Sequence, residues 1–156
     1  MSRVKPNYFF IPLFVIITAS AASYFAETGR AWYKTINLPD WTPSGSIMVL
    51  AWTIIFILSS LSLLIIWNKY SSEKNFALII ALFVLNAFLI VGWNILFFSH
   101  QQFGLAFFQA VLLIANLVLL IFLIWRFSPL TAYLLIPYSL YLLFSTVLTF
   151  NVWMIN

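Results

Sequence analysis

The chain has 156 residues, of which 65% are hydrophobic and only 6% are charged, and its formal net charge is +4. A soluble domain with so few charged side chains could not cover its surface, so lipid must be the solvent for most of this chain. The sequence has no cysteine and one histidine, which excludes disulfides, thiolate chemistry and a zinc site. The positive charges are spread along the chain, which is not the pattern of a nucleic-acid surface.

Five apolar stretches follow one another, each close to the ~20 residues that a helix needs to cross a bilayer. None of them carries an acidic or basic side chain away from its ends, which excludes acid–base, metal and nucleophilic chemistry inside the membrane. Continuous apolar runs predict helices, whereas a β-barrel would show short alternating segments. We therefore predict a single all-α membrane domain over residues 1–156, with five transmembrane helices at about 8–26, 47–67, 76–98, 105–125 and 131–155.

The basic residues predict the orientation of this bundle. The positive-inside rule places the more basic face in the cytoplasm, so we expect a cytoplasmic N-terminus and an outside C-terminus in a bacterial cell membrane. The first stretch also imitates a signal peptide, but its apolar run is long for one, and we expect it to be retained as a helix. The basic residues divide five to two between the faces: Arg3, Lys5, Lys69, Lys74 and Arg126 against Arg30 and Lys34.

Residues 27–46 form the one long connection. This segment contains Pro39 and Pro43 and three aromatic residues, Trp32, Tyr33 and Trp41. A simple linker would be short and polar, so we predict a structured lid packed on the outer end of the bundle. An interfacial belt of aromatic residues is the alternative. The remaining connections are short and predict that helices two and three, three and four, and four and five are antiparallel neighbours.

Polar residues at helical spacing indicate which faces turn inward, because polar groups are costly against lipid. In the first helix this pattern selects the face of Ser20, Ser23 and Glu27. In the later helices we predict interhelical hydrogen bonds, and the residues concerned are Ser59, Ser60, Asn86, Gln109 and Asn116.

Large aromatic residues gather near the outer ends of three helices. Trp52, Trp93, Tyr138 and Tyr141 lie there, beneath the aromatic loop. Converging flat rings with a few hydroxyls are typical of a pocket for a flat, mostly apolar ligand. Anchoring at the membrane interface is the alternative for the same residues.

Four blocks of sequence resemble the translocator protein family, also called tryptophan-rich sensory proteins (TspO). The first block is Trp32-Tyr33 followed by Leu38-Pro39-Asp40-Trp41-Thr42-Pro43, with Trp52 eleven residues beyond Trp41. The others agree in order and spacing along nearly the whole chain: Trp93-x3-Phe97-Phe98 with Gly104, Ser128-Pro129-Leu130 with Leu134-Leu135-Ile136-Pro137-Tyr138, and Phe144-Ser145-Thr146 with Val152-Trp153.

The resemblance implies a five-helix bundle, usually a homodimer, that binds porphyrins in a pocket closed by the first long loop and has a regulatory or stress-related role. It implies no cofactor, metal or catalytic residue. Arg30 and Lys34 would meet the porphyrin carboxylates, or they are ordinary solvated loop charges. Metal-free protoporphyrin suits the pocket walls better than haem. The nearest candidate ligand for a haem iron is Met48, and its thioether is a weak ligand. The implied pocket contains Tyr33, Pro43, Trp52, Ile90, Trp93, Phe97, Tyr138, Tyr141 and Ser145.

Departures from the family pattern shape the alternatives. Phe150, with no basic residue after it, breaks the sterol-associated motif and makes a sterol ligand less favoured. Some members are proposed to degrade porphyrin with light and oxygen through two facing tryptophans; here Trp52 matches the first, and Tyr141 replaces the second. A transporter is a further alternative, although the ionisable relays typical of transporters are missing.

For the homodimer, the small residues Ala77 and Ala81 favour the third helix, and Ala106 and Ala110 offer the same spacing on the fourth. Trp67 lies at the cytoplasmic end of the second helix, away from the predicted pocket, and we expect it to contribute little to ligand binding.

Overall fold

A computed structural model describes residues 5–156, and every regular element in that range is helical. Arg3, which contributes to the predicted charge asymmetry, lies outside the described residues. A π-helical turn, Ile95–Ser99, continues α4. The α-helices are α1 (Asn7–Thr28), α2 (Arg30–Tyr33), α3 (Gly45–Lys69), α4 (Phe76–Asn94), α5 (Phe103–Trp125), α6 (Pro129–Tyr133) and α7 (Ile136–Ile155).

Within residues 5–156, five helical stretches are long and apolar enough to cross a membrane. They have 22 to 27 residues, which at 1.5 Å per residue exceeds the ~30 Å hydrocarbon core. This confirms the predicted all-α bundle of five transmembrane helices, and the chain is an integral multi-pass membrane protein. The stretches are Asn7–Thr28, Gly45–Lys69, Phe76–Ser99, Phe103–Trp125 and Pro129–Ile155.

The fifth stretch is interrupted between α6 and α7. The interruption follows from Pro137, which lacks an N–H and whose ring would clash with the carbonyl four residues earlier. That carbonyl belongs to Tyr133, the residue at which α6 ends. The chain resumes as α7 at Ile136, with the proline in the first turn, where its missing donor costs nothing.

The five stretches form a closed ring in which α1 lies between α3 and α4. The helix α1 packs against both of them, α4 packs on α5, α5 packs on α6 and α7, and these two return to α3. The predicted neighbours α4–α5 and α5–α7 are confirmed, but the prediction that α3 and α4 are neighbours was wrong. The connection at residues 70–75 can extend ~20 Å, enough to pass the ~10 Å width of α1.

Amides and a phenol in the bundle interior join three helices. Asn86 on α4 donates from Nδ2 to Asn116 Oδ1 on α5 at 3.1 Å, and Tyr138 on α7 donates from its hydroxyl to Asn86 Oδ1 at 3.1 Å. Gln109 donates from Nε2 to the Leu89 carbonyl at 3.3 Å. The predicted interhelical hydrogen bonds of these amides are therefore confirmed. On α3, the bond to α6 comes from Ser62, whose hydroxyl lies 3.3 Å from the Thr131 carbonyl. Ser59 and Ser60 are half-buried and make no interhelical hydrogen bond with the described residues, so the prediction for these two serines was wrong.

The first helix turns a different face inward from the one predicted. Ser20, Ser23 and Glu27 are exposed, and α1 instead buries Asn7, Ile11, Thr18 and Ala22. Hydroxyls do not decide the face of a helix, because they can bond to the carbonyl one turn earlier. Thr18 makes that bond to the Phe14 carbonyl at 2.9 Å and is buried.

Candidate functional site

A continuous run of aromatic rings leads from the bundle interior to the loop 27–46; we call it the aromatic wall. Trp52 on α3 lies with its ring centroid 6.0 Å from that of Tyr138 and 5.6 Å from that of Tyr141, both on α7. Tyr141 lies 6.0 Å from Phe144, which lies 5.6 Å from Trp41 in the loop. Three of these four pairs meet edge to face, the arrangement that aromatic quadrupoles favour.

A second group, the aromatic anchor, fixes the first half of the loop to the ends of α4 and α5. Trp93 stacks on Phe97 with centroids 4.9 Å apart and an interplanar angle of 16°, and Tyr33 lies 6.2 Å from Phe97. Trp32 stacks on Phe103 at 5.5 Å. Phe97 belongs to the π-helical turn Ile95–Ser99, a kind of irregularity that is common at functional sites.

Gly29 allows the short helix α2 to approach this π-helical turn. A Cβ atom at Gly29 would lie 2.8 Å from the Cβ of Phe98, closer than side chains tolerate. The resulting contact places Tyr33 5.5 Å from Phe98, measured between ring centroids. Burial raises the pKa of the Tyr33 phenol, so it stays a neutral hydrogen-bond donor at physiological pH.

Most of the predicted pocket residues fall into these two adjoining groups. Trp52, Tyr138 and Tyr141 belong to the wall, and Tyr33, Trp93 and Phe97 to the anchor. Phe144 joins the groups, because it contacts Tyr141 and packs against the same buried cluster as the anchor residues, formed by Phe97, Ala106, Leu148 and Val152. Tyr138 and Phe97 are almost fully buried, whereas Trp52, Trp93 and Tyr141 are half-buried. The prediction that all the rings lie near the outer ends of their helices was wrong for Tyr138, which lies in the first turn of α7, at the end away from the loop.

The other predicted residues lie around the groups. Ile90 is buried and, with Tyr138, lines a small cavity of ≈ 30 Å³ in the middle of the bundle. Pro43 is half-buried in the loop, and Ser145 is half-buried on α7, next to Phe144. Their place in the pocket depends on the resemblance.

The two predicted carboxylate partners have different surroundings. Arg30 donates from Nη1 to both carboxylate oxygens of Glu27, at 3.2 and 3.3 Å. Lys34 is exposed directly after α2. An incoming carboxylate would therefore compete with Glu27 for Arg30. Within residues 5–156, no group of three or more His, Cys, Asp or Glu side chains is placed to hold a metal ion.

Four residues of these groups were not predicted as site residues: Trp32, Trp41, Phe103 and Phe144. Phe144 follows Tyr141 by three residues and so shares its helical face, a signal that spacing alone could have supplied. Trp41 stands in the loop between two prolines, and its contact with Phe144 has no periodic signal. The same is true of Phe103, which follows a turn in which Gln101 has a positive φ of 57°.

Comparisons with known proteins agree with this architecture. The family model described as the TspO/MBR family matches residues 9–154. The Tryptophan-rich protein TspO of Bacillus cereus is 34% identical over 128 residues, covering 81% of this chain and 82% of the relative.

Two further relatives extend the likeness. The Uncharacterized membrane protein YtaB of Bacillus subtilis is 31% identical over 147 residues, covering 91% of this chain and 92% of the relative. The Translocator protein of Ovis aries is 28% identical over 135 residues, covering 85% and 79%. With the family model matching nearly the whole chain, the resemblance seen in the sequence is confirmed, and the chain belongs to the TspO/MBR family.

Proposed function

We propose that the protein is a membrane receptor or carrier that binds porphyrins on the aromatic wall, beneath the loop 27–46. The observation that supports this proposal best is the aromatic wall itself, an unbroken series of rings from Tyr138 inside the bundle to Trp41 in the loop. Such a surface matches a ligand that is flat, large and mostly apolar.

The chemistry of a porphyrin fits the distribution of groups at this end. Its macrocycle would stack on the half-buried ring of Trp52 and meet the ring of Tyr141 with its edge, because these two rings stand at 81° to each other. Its two carboxylates would reach the loop, where Arg30 and Lys34 supply positive charge. Trp41 and Phe144 are in contact, so entry requires the second half of the loop to move away from α7. The proposed role is regulatory or stress-related, and a sterol is a less suitable ligand.

Titration of the purified protein with protoporphyrin tests this proposal. An aromatic stacking partner contributes about 0.5–1.5 kcal/mol beyond its buried area, so Trp52→Ala should weaken binding at least about tenfold. Trp52→Phe, which keeps a ring, should lose less. Trp67→Ala changes a tryptophan near the opposite end of the same helix and is the control. Equal effects of Trp52→Ala and Trp67→Ala, or no effect of either, would contradict the proposed pocket.

Light-dependent degradation of porphyrin is a second candidate, favoured by one contact. Trp52 and Tyr141, both oxidisable, lie with their ring centroids 5.6 Å apart. This candidate predicts that bound porphyrin bleaches under light in the presence of oxygen and that Trp52→Phe slows bleaching while binding persists. If the spectrum of the bound porphyrin is stable under light, degradation is excluded and only the receptor or carrier function remains.

A further inference from the structure

A cavity of ≈ 690 Å³ lies at the end of the bundle opposite the loop 27–46. It is formed by the start of α1, the end of α3 and the first half of α4. This volume is within the range of about 300–1,000 Å³ that small-molecule sites occupy. Apolar side chains make most of its wall, among them Phe10, Phe14, Trp67, Ile80, Phe83 and Val84.

Two buried polar atoms in this wall have no hydrogen-bond partner among the described residues: Asn7 Nδ2 and Asn68 Oδ1. Asn7 is only 8% exposed. The amide of Asn68 is held by its own Nδ2, which donates to the Leu64 carbonyl at 2.9 Å. Buried polar groups almost always have partners, and both of these atoms have almost no accessible surface, so a group in the cavity would reach them after a small turn of the two side chains. A hydroxyl matches this pair, because a hydroxyl accepts from one amide and donates to the other.

The charges at this end favour an anion. Lys5 is part of the cavity wall, and Lys69 and Lys74 lie at the same end of the bundle, where Glu73 is the acidic residue nearest to them in sequence. Phe10 and Val84 line the cavity and are exposed, at 61% and 39%. An acyl chain lying on these two residues would therefore pass from the cavity into the surrounding lipid.

We propose that this cavity binds an anionic phospholipid whose head group carries free hydroxyls, of the phosphatidylglycerol type. The phosphate lies near Lys5, a head-group hydroxyl lies between Asn7 Nδ2 and Asn68 Oδ1, and the acyl chains lie along Phe10 and Val84. This site is separate from the proposed porphyrin pocket and does not depend on it.

Native mass spectrometry of the detergent-purified protein tests the assignment by comparing three phospholipids of equal chain length. Phosphatidylglycerol should be retained roughly fivefold better than phosphatidic acid, which lacks the glycerol hydroxyls, and better still than zwitterionic phosphatidylcholine. Asn7→Leu and Asn68→Leu should each reduce retention of phosphatidylglycerol to that of phosphatidic acid. Lys5→Gln should weaken both anionic lipids alike.

Asn151→Leu is the matched control, because Asn151 Nδ2 makes the same bond one turn back, to the Val147 carbonyl at 2.8 Å, near the other end of the bundle. It should leave the lipid preference unchanged. Without lipid, Asn7→Leu should unfold at no lower temperature than the wild type, since it removes an unpaired polar group. Equal retention of the three lipids by the wild type would overturn the proposal. An unchanged preference for phosphatidylglycerol in both Asn7→Leu and Asn68→Leu would also overturn it. So would binding of water-soluble glycerol phosphate that is as strong as binding of phosphatidylglycerol.

Discussion

The side chain of Asn156 binds the backbone of Asn37 in both directions. The Asn37 backbone N–H donates to Asn156 Oδ1 at 2.9 Å, and Asn156 Nδ2 donates to the Asn37 carbonyl at 2.9 Å. The same Nδ2 also donates to the Val152 carbonyl at 2.9 Å, which keeps the side chain folded back over α7. The middle of the loop 27–46 is thereby tied to the end of the last helix, between the aromatic anchor and the aromatic wall.

Replacing Asn156 should loosen the loop without loosening the bundle. Asn156→Ala removes two solvent-exposed hydrogen bonds, together about 1 kcal/mol, so the Asn37 amide should exchange hydrogen about fivefold faster. Asn156→Asp keeps the acceptor and loses the donor, so its effect should be intermediate. Hydrogen exchange followed by mass spectrometry measures both, and unchanged exchange around Asn37 in the alanine variant would show that the loop is held elsewhere.

The elements of this fold were readable from the sequence because lipid imposes length and hydrophobicity on each helix. Trp52, Tyr138 and Tyr141 of the aromatic wall were also predicted, since large rings stood out in the sequence and the two tyrosines share a helical face. The order of the helices around the bundle could not be predicted from the sequence. A helix that is apolar all round carries little information about which neighbour it meets, and so α1 was not foreseen between α3 and α4.

Contacts between segments that are far apart in the sequence could not be predicted, for a different reason. Asn37 and Asn156 are 119 residues apart and obey no spacing rule. The unpaired amides Asn7 and Asn68 lie on different helices, and each looks like an ordinary polar residue at a helix end. Only the packing of α1 against α3 and α4 encloses the cavity that both of them line.

Gly29 should tolerate no side chain, whereas Gly45 should. Gly29→Ala would bring a Cβ atom to 2.8 Å from Phe98 Cβ, and relieving such a clash typically costs about 1–3 kcal/mol. Gly45, the first residue of α3, has no atom within 4 Å of the position that a Cβ would take, so Gly45→Ala should be neutral or slightly stabilising. Thermal unfolding in detergent compares the two variants; equal unfolding temperatures would mean that α2 shifts freely away from the π-helical turn.

The interior hydrogen bonds should make Asn86 the most sensitive amide of α4. Asn86→Leu leaves the Tyr138 hydroxyl and Asn116 Oδ1 without their partner, and we expect a loss of about 2 kcal/mol of stability. The double variant Asn86→Leu/Asn116→Leu should lose less than the sum of the single variants, because either change breaks the bond between them. Ser20→Ala, on the exposed face of α1, is the neutral control. Strictly additive losses would mean that the two amides stabilise the bundle independently.

The orientation predicted from the basic residues is directly testable because the chain contains no cysteine. Ser44 in the loop 27–46 and Ser72 between α3 and α4 are both exposed and lie at opposite ends of the bundle. In intact cells, a membrane-impermeant maleimide should label Ser44→Cys and not Ser72→Cys. Labelling of Ser72→Cys alone would invert the proposed topology and place the loop in the cytoplasm.

The homodimer that the resemblance implies is best tested at α4. Ala106 and Ala110, the alternative pair on α5, are 0% and 3% exposed, so they pack inside the bundle and are not available to a second copy. Ala77 and Ala81 are exposed, and small residues four apart let two helices approach closely. Ala81→Phe should therefore convert dimer to monomer in size-exclusion chromatography with light scattering. Val118→Phe places the same ring on the exposed face of α5 and should leave the dimer intact; if only Val118→Phe breaks it, the interface lies on α5 instead.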